Sequence, residues 1–301
     1  MQKSPLLAWG LLLILAFIWG SSFILIKKGL IGLEPEEVGS LRIVAASLFL
    51  LPSAIKRFKT IDRKKLHYYT SVGLLGSLVP AFLFAIAQTR LGSAITGVLN
   101  GLVPIFTILI ALFVFRQKQA RAVYLGVIVG FVGTAILITA GKGSSFSGVN
   151  SYAFLVVLAT ICYASNLNLI KQKLNDVHAV TVTSVSLLLV GPLATVYLFG
   201  FTDFWPKLMS VEGTGIATFY ICLLGVLGTA IALIIFNKVL QMKDALFASS
   251  VTYIIPVFAV IWGVIDGEKL YLLHYLGMAA VGVGVYIANT NKNHKNAGNT
   301  K

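Results

Sequence analysis

Ten unbroken apolar runs, each close to the length that crosses a lipid bilayer, constrain the fold of this 301-residue chain more than any other feature. They occupy residues 6–26, 38–55, 68–87, 93–115, 122–140, 152–170, 180–201, 215–236, 245–265 and 272–288. A helix rising 1.5 Å per residue needs ~20 residues to span a hydrocarbon core, whereas a barrel strand needs only ~10. The runs have the helical length, and they do not alternate apolar with polar residues as barrel strands do. Backbone groups in hydrocarbon must also be paired within their own segment, which a helix achieves. A soluble core is no alternative, because 57% of the residues are hydrophobic and 11% charged, against about 25% charged in ordinary soluble domains. The expected fold class is therefore an all-α integral membrane protein with ten transmembrane helices. The first run lacks a small-residue cleavage site and is expected to be retained.

The formal charge of +14 would suit a nucleic-acid binder, but its distribution points to a membrane. With the N-terminus in the cytoplasm, 17 basic residues fall on the inner side, six of them between Lys56 and Lys65. The outer segments hold Lys27, Lys28, Arg90, Lys142, Lys207 and Lys269, together with seven of the ten acids. Positive segments are retained on the cytoplasmic side, so both termini are expected there, in the plasma (inner) membrane. The expected partners are the lipid bilayer and a small-molecule substrate, not nucleic acid.

The chain also repeats itself. Trp19 to Lys27 aligns with Tyr163 to Lys171, Leu74-Leu75-Gly76 with Leu223-Leu224-Gly225, and Val103-Pro104-Ile105-Phe106 with Ile255-Pro256-Val257-Phe258. Tyr124-Leu125-Gly126 with Gly133 aligns with Tyr275-Leu276-Gly277 with Gly284. Each half holds five runs, and an odd number sends the second half into the membrane from the opposite side. Two inverted five-helix repeats follow, residues 1–141 and 152–301, joined by a Gly/Ser-rich linker at 142–151. Inverted halves are a recurrent transporter construction, with the substrate site where they meet.

The run Trp19-Gly20-Ser21-Ser22-Phe23, Leu41-Arg42 followed by Ala46, the paired Pro104 and Pro256, and Gly267-Glu268-Lys269-Leu270 leading to Gly277 resemble EamA-type permeases of the drug/metabolite transporter superfamily. The first half departs from that pattern, with Arg116 where the second has Glu268. The resemblance implies a ten-helix carrier with cytoplasmic termini that moves amino acids, nucleobases or related metabolites by alternating access.

Motifs for other chemistries are missing. The sequence has no phosphate-cradling G-x-x-x-x-G-K-[ST] loop and no G-x-S-x-G or H-E-x-x-H. Its four histidines have no ligand spacing, and Cys162 and Cys222 lie far apart in separate runs. No metal, cofactor or enzymatic activity is expected. No carboxylate lies inside a run, so the flux is expected to follow the substrate gradient, not a titrating acid.

Arg42 is the one charge within the runs, suited either to a structural hydrogen bond or to anion binding and gating. The polar residues Ser21, Ser22, Thr96, Asn100, Asn166, Asn168, Thr229 and Thr252 could join helices to one another or face a pathway. Repeat matching selects Trp19 with Tyr163, Ser22 with Asn166, and Asn100 with Thr252, to which Tyr253 is adjacent. These seven form the expected substrate pathway, on helices 1, 4, 6 and 9. The expected function is secondary, non-ATP transport of small organic metabolites such as amino acids. An organophosphate or nucleotide-sugar antiporter, or a membrane receptor or scaffold, are the alternatives.

Overall fold

A computed structural model describes residues 5–114, 121–139, 150–242 and 251–290, which contain helices and no strand. Helix α1 spans Pro5–Gly29 and α2 spans Pro35–Phe58. The next span is built from α3 (Leu66–Gly73), a π-helical segment (Leu74–Leu78) and α4 (Val79–Gln88). Then come α5 (Ser93–Asn100), α6 (Val103–Phe113) and α7 (Arg121–Thr139). The second half runs through α8 (Tyr152–Lys173), α9 (Ala179–Gly200) and the short α10 (Phe204–Ser210). It continues with α11 (Thr214–Leu223), a second π-helical segment (Leu224–Ile231) and α12 (Ala232–Met242). Helices α13 (Val251–Ile265) and α14 (Leu272–Thr290) complete it.

Seven helical spans among the described residues are long and apolar enough to cross a membrane, and three shorter apolar helices fall at 122–137, 254–265 and 272–287. Large apolar side chains cover the outside, among them Leu48, Phe113, Val132, Phe201 and Tyr286. A monomer in water does not expose such a surface, and a bilayer covers it.

Local chemistry explains where the helices bend. Pro80 has no N–H for the carbonyl of Gly76, and the helix widens into π geometry just before it. Pro104 likewise has none for Asn100, and the fourth run breaks at Gly101-Leu102. Helix α2 starts with Pro35 at its first position and a capping box in which Glu34 and Glu37 each accept from the other's backbone N–H. The sequence reading missed four features: the two π segments, the break at 101–102, and α10. It also placed Lys27 and Lys28 outside the first helix, whereas they form the last turn of α1. The ninth run is described only from Val251.

Helix pairs bring the halves together. Helix α7 packs along α14, α2 along α9, and α1 along α13, while α4, α5 and α6 lie on α8 and the second π segment lies on α2. At the α7 and α14 crossing a Cβ on Gly284 would come within 2.4 Å of Gly130 N, and one on Gly133 within 2.6 Å of Val281 N. The backbones touch there, as small residues permit in membranes.

Candidate functional site

Arg42 enters the interior from α2, about two turns past its first residue. Its Nε donates to Thr229 Oγ1 at 3.1 Å, and its guanidinium also interacts with the Tyr163 side chain from α8. The second π segment supplies Thr229 and, one residue earlier, the Gly228 carbonyl that accepts from Trp19 Nε1 at 2.9 Å. A Cβ on Gly228 would fall 2.9 Å from Ser22 Oγ, so Ser22 closes the same group. Aromatic rings flank it. Trp19 lies 5.5 Å from Phe236, and Tyr163 stacks on Phe84 with centroids 5.9 Å apart. Trp19, Ser22 and Arg42 from the first half thus meet Tyr163, Gly228 and Thr229 from the second.

Asn166 follows Tyr163 by three residues on α8, where positions three apart share a face. It presses against Gly76, where a Cβ would come within 2.5 Å of its amide nitrogen, and its Oδ1 is buried with no hydrogen-bond partner. Asn100 lies at the C-terminal end of α5, with Oδ1 also buried and unpartnered. Thr252 lines an apolar cavity of about 610 Å³ with Val98, Gly101, Pro256 and Met278. Tyr253 is in α13, and its side chain lies outside the described residues.

Other polar candidates have structural partners. Ser21 accepts from Trp262 Nε1 at 2.8 Å, Thr96 donates to its own helix at Gly92, and Asn168 ties α8 to the Thr107 carbonyl at 3.2 Å. Gln88, at the C-terminal end of α4, is buried and donates to the Phe23 carbonyl at 2.8 Å.

A second cluster closes the end of the bundle where α1 finishes. Glu268 accepts from Ser93 N at 2.6 Å, Ser93 Oγ at 2.7 Å, Ala94 N at 3.0 Å and Lys27 Nζ at 2.9 Å. Asp266 pairs with Lys27 at 2.8 Å and also with Lys28. Two glycines make the socket, because a Cβ on Gly92 or Gly263 would come within 2.5 or 2.7 Å of Glu268 Oε2. Burial pushes the Glu268 carboxyl up, but the bonds from Lys27, Ser93 and Ala94 outweigh it and hold it below its ordinary value. Hydrogen bonds from Lys27 and Lys28 hold Asp266 down as well. At the same end buried Glu37 accepts from Lys207 at 3.1 Å, tying α2 to α10. The Glu268 clasp joins α1, α5 and α13. The repeat mismatch with Arg116, which lies outside the described residues, concealed it.

The chain is similar to known proteins over most of its length. The profile of the EamA-like transporter family matches residues 6–139 and again 150–290. An uncharacterized transporter of Archaeoglobus fulgidus is 25% identical over 93% of this chain and 97% of its own. The inner membrane transporter YedA of Escherichia coli is 24% identical over 97% and 92%. A solved crystal structure superposes with a TM-score of 0.65 over 97% of this chain and 99% of that one, and at 16% identity the likeness is one of fold alone.

Proposed function

The chain belongs to the EamA-like transporter family and is a multi-pass membrane protein, and on that premise we propose that it is a secondary, non-ATP carrier of small organic metabolites such as amino acids. In this reading ten helices form two inverted repeats, residues 1–141 and 152–301 about the 142–151 linker, and access alternates between the two sides. The double match to one family profile supports the repeat. So do the helix contacts: α1 with α13 mirrors α5 and α6 with α8, α1 with α12 mirrors α4 with α8, and α2 with α9 and α7 with α14 join repeat partners. The charge asymmetry supports cytoplasmic termini, and the name of the Escherichia coli relative supports an inner-membrane location.

The observation that carries the proposal is the meeting of both halves at Arg42, Trp19, Ser22, Tyr163, Gly228 and Thr229. Carrier sites in inverted repeats form where the halves join. Aromatic rings there can cover an apolar substrate body while hydroxyls and amides orient its polar groups. Trp19, Ser22, Tyr163 and Asn166 are pathway candidates on this basis, and Asn100, Thr252 and Tyr253 remain candidates through their repeat positions alone. The clasp at Glu268 supports a state closed at the α1 C-terminal end, the outer end in this orientation.

Untargeted metabolite comparison tests the proposal. Cells making the wild-type chain should gain or lose a small set of metabolites relative to cells making Asn166→Ala at equal membrane abundance. A variant that is less stable but keeps normal flux per folded molecule would make Asn166 a packing residue.

A further inference from the structure

Arg42 stands in the apolar runs without an acid. Its bonding partners, Thr229 and Tyr163, are neutral, and the ion pairs among the described residues all join lysines to acids elsewhere. A guanidinium has five N–H donors. Nε is held by Thr229, the side chain is half-buried, and its remaining donors have no acid to pair with among the described residues. An unpaired cation at membrane depth is costly, and such residues mark substrate pathways.

We propose that Arg42 is the receptor for a single carboxylate on the transported molecule, an inference that rests on the carrier reading above. The planar fork matches a carboxylate in two parallel hydrogen bonds. One arginine with no acid in the runs is neutralised by one negative charge, repels a cation, and leaves a phosphate dianion undercompensated. Asn166, one turn along α8 from Tyr163, contributes a buried acceptor that needs a donor. The substrate therefore carries one carboxylate and a nearby hydroxyl or ammonium, with an apolar remainder among Trp19, Phe236, Tyr163 and Phe84.

Purified full-length protein in lipid nanodiscs tests this through thermal stabilisation by matched probes. These are leucine, 2-hydroxy-4-methylpentanoate, 4-methylpentanoate and leucinamide, with choline and glucose 6-phosphate as cationic and dianionic comparisons. Leucine and the hydroxy acid should stabilise most, 4-methylpentanoate less, and the other three not at all. Arg42→Gln should weaken binding of the two best probes roughly 10- to 100-fold, the loss expected for a charge-assisted hydrogen bond. Arg42→Lys keeps the charge but not the fork and should recover only part of it. Stabilisation by leucinamide or choline equal to that by leucine, no stabilisation by any carboxylate, or unchanged affinity in Arg42→Gln would overturn the proposal. The acid-against-amide comparison uses the wild type, so it stands even if the variants do not fold. Efflux from liposomes loaded with a metabolite extract separates the two readings. Release confined to compounds that lack a carboxylate rejects the carboxylate and keeps the carrier, while release of nothing rejects the carrier too.

Discussion

Glu268 shows how a single side chain can hold one end of a bundle shut. Its carboxylate takes two backbone N–H groups, one hydroxyl and one ammonium, and its side chain is only 9% exposed. Glu268→Gln keeps the shape but removes the charge, and is expected to cost about 1–3 kcal/mol, the range for losing hydrogen bonds to a buried charged group. Thermal unfolding in nanodiscs measures this. The pH dependence follows from the depressed Glu268 and Asp266 carboxyls. A folded-state value below the unfolded one contributes stability above the unfolded value and loses it as pH falls through the folded one. The clasp should therefore persist from neutral pH down through the ordinary carboxylate range and fail only below it. Without substrate, a cysteine placed at Ser93 should be labelled by aqueous maleimide no faster at pH 5.5 than at pH 7. Labelling that rises over that interval would contradict the assignment. The partners in this clasp could not be found from sequence, because Gly92, Ser93 and Gly263 meet Glu268 only after α5 and α13 are packed. Arg42 was legible as the lone charge in the runs, and Trp19 and Tyr163 through their repeat match. The role of Thr229 was not, since a hydroxyl in an apolar run looks the same whether it bonds its own helix or an arginine on another.

Apolar run length identified the helices, and their irregular parts lie where proline and glycine alter the hydrogen bonding. Pro80 and Pro104 are visible in sequence, yet whether a helix answers a missing N–H by widening or by breaking depends on its neighbours. The second π segment has no proline at all, and it is the one that offers Gly228 and Thr229 to the cluster. Helices α7 and α14 depend on Gly126, Gly130, Gly133, Gly277 and Gly284, all but Gly130 visible in the sequence as repeat matches, though their close approach is not. Gly284→Val places a side chain against Gly130 and Gly126 backbone atoms within 2.4 and 2.7 Å. Backbone cannot yield as a flexible side chain can, so the expected loss is about 1–3 kcal/mol or more. Gly282→Val, where a Cβ meets nothing within 4 Å, should change stability far less. Equal melting temperatures for the two variants would show that α7 and α14 do not cross as described.

For the whole molecule, our proposal is that two five-helix halves, joined back to front, meet at a common centre while the ends open and close around it. Orientation is open to direct measurement, with reporters fused at Lys59 and after Lys301 expected to behave as cytoplasmic. The substrate could not be read from the sequence, because no run carries a motif for one molecule and the centre forms only when both halves meet. Alternating access remains the central claim, and it requires the α1 C-terminal end to open during each cycle. Its most direct test uses liposomes loaded with a metabolite extract and containing the chain with Lys27→Cys and Glu268→Cys in a background of Cys162→Ala and Cys222→Ala. A reducible bifunctional thiol reagent joins the two new cysteines. With the proton gradient collapsed, the account predicts that a small set of carboxylates leaves the liposomes before cross-linking, stops leaving after it, and leaves again on reduction. Release that continues unchanged through the cross-linked state, or that matches protein-free liposomes throughout, would contradict it.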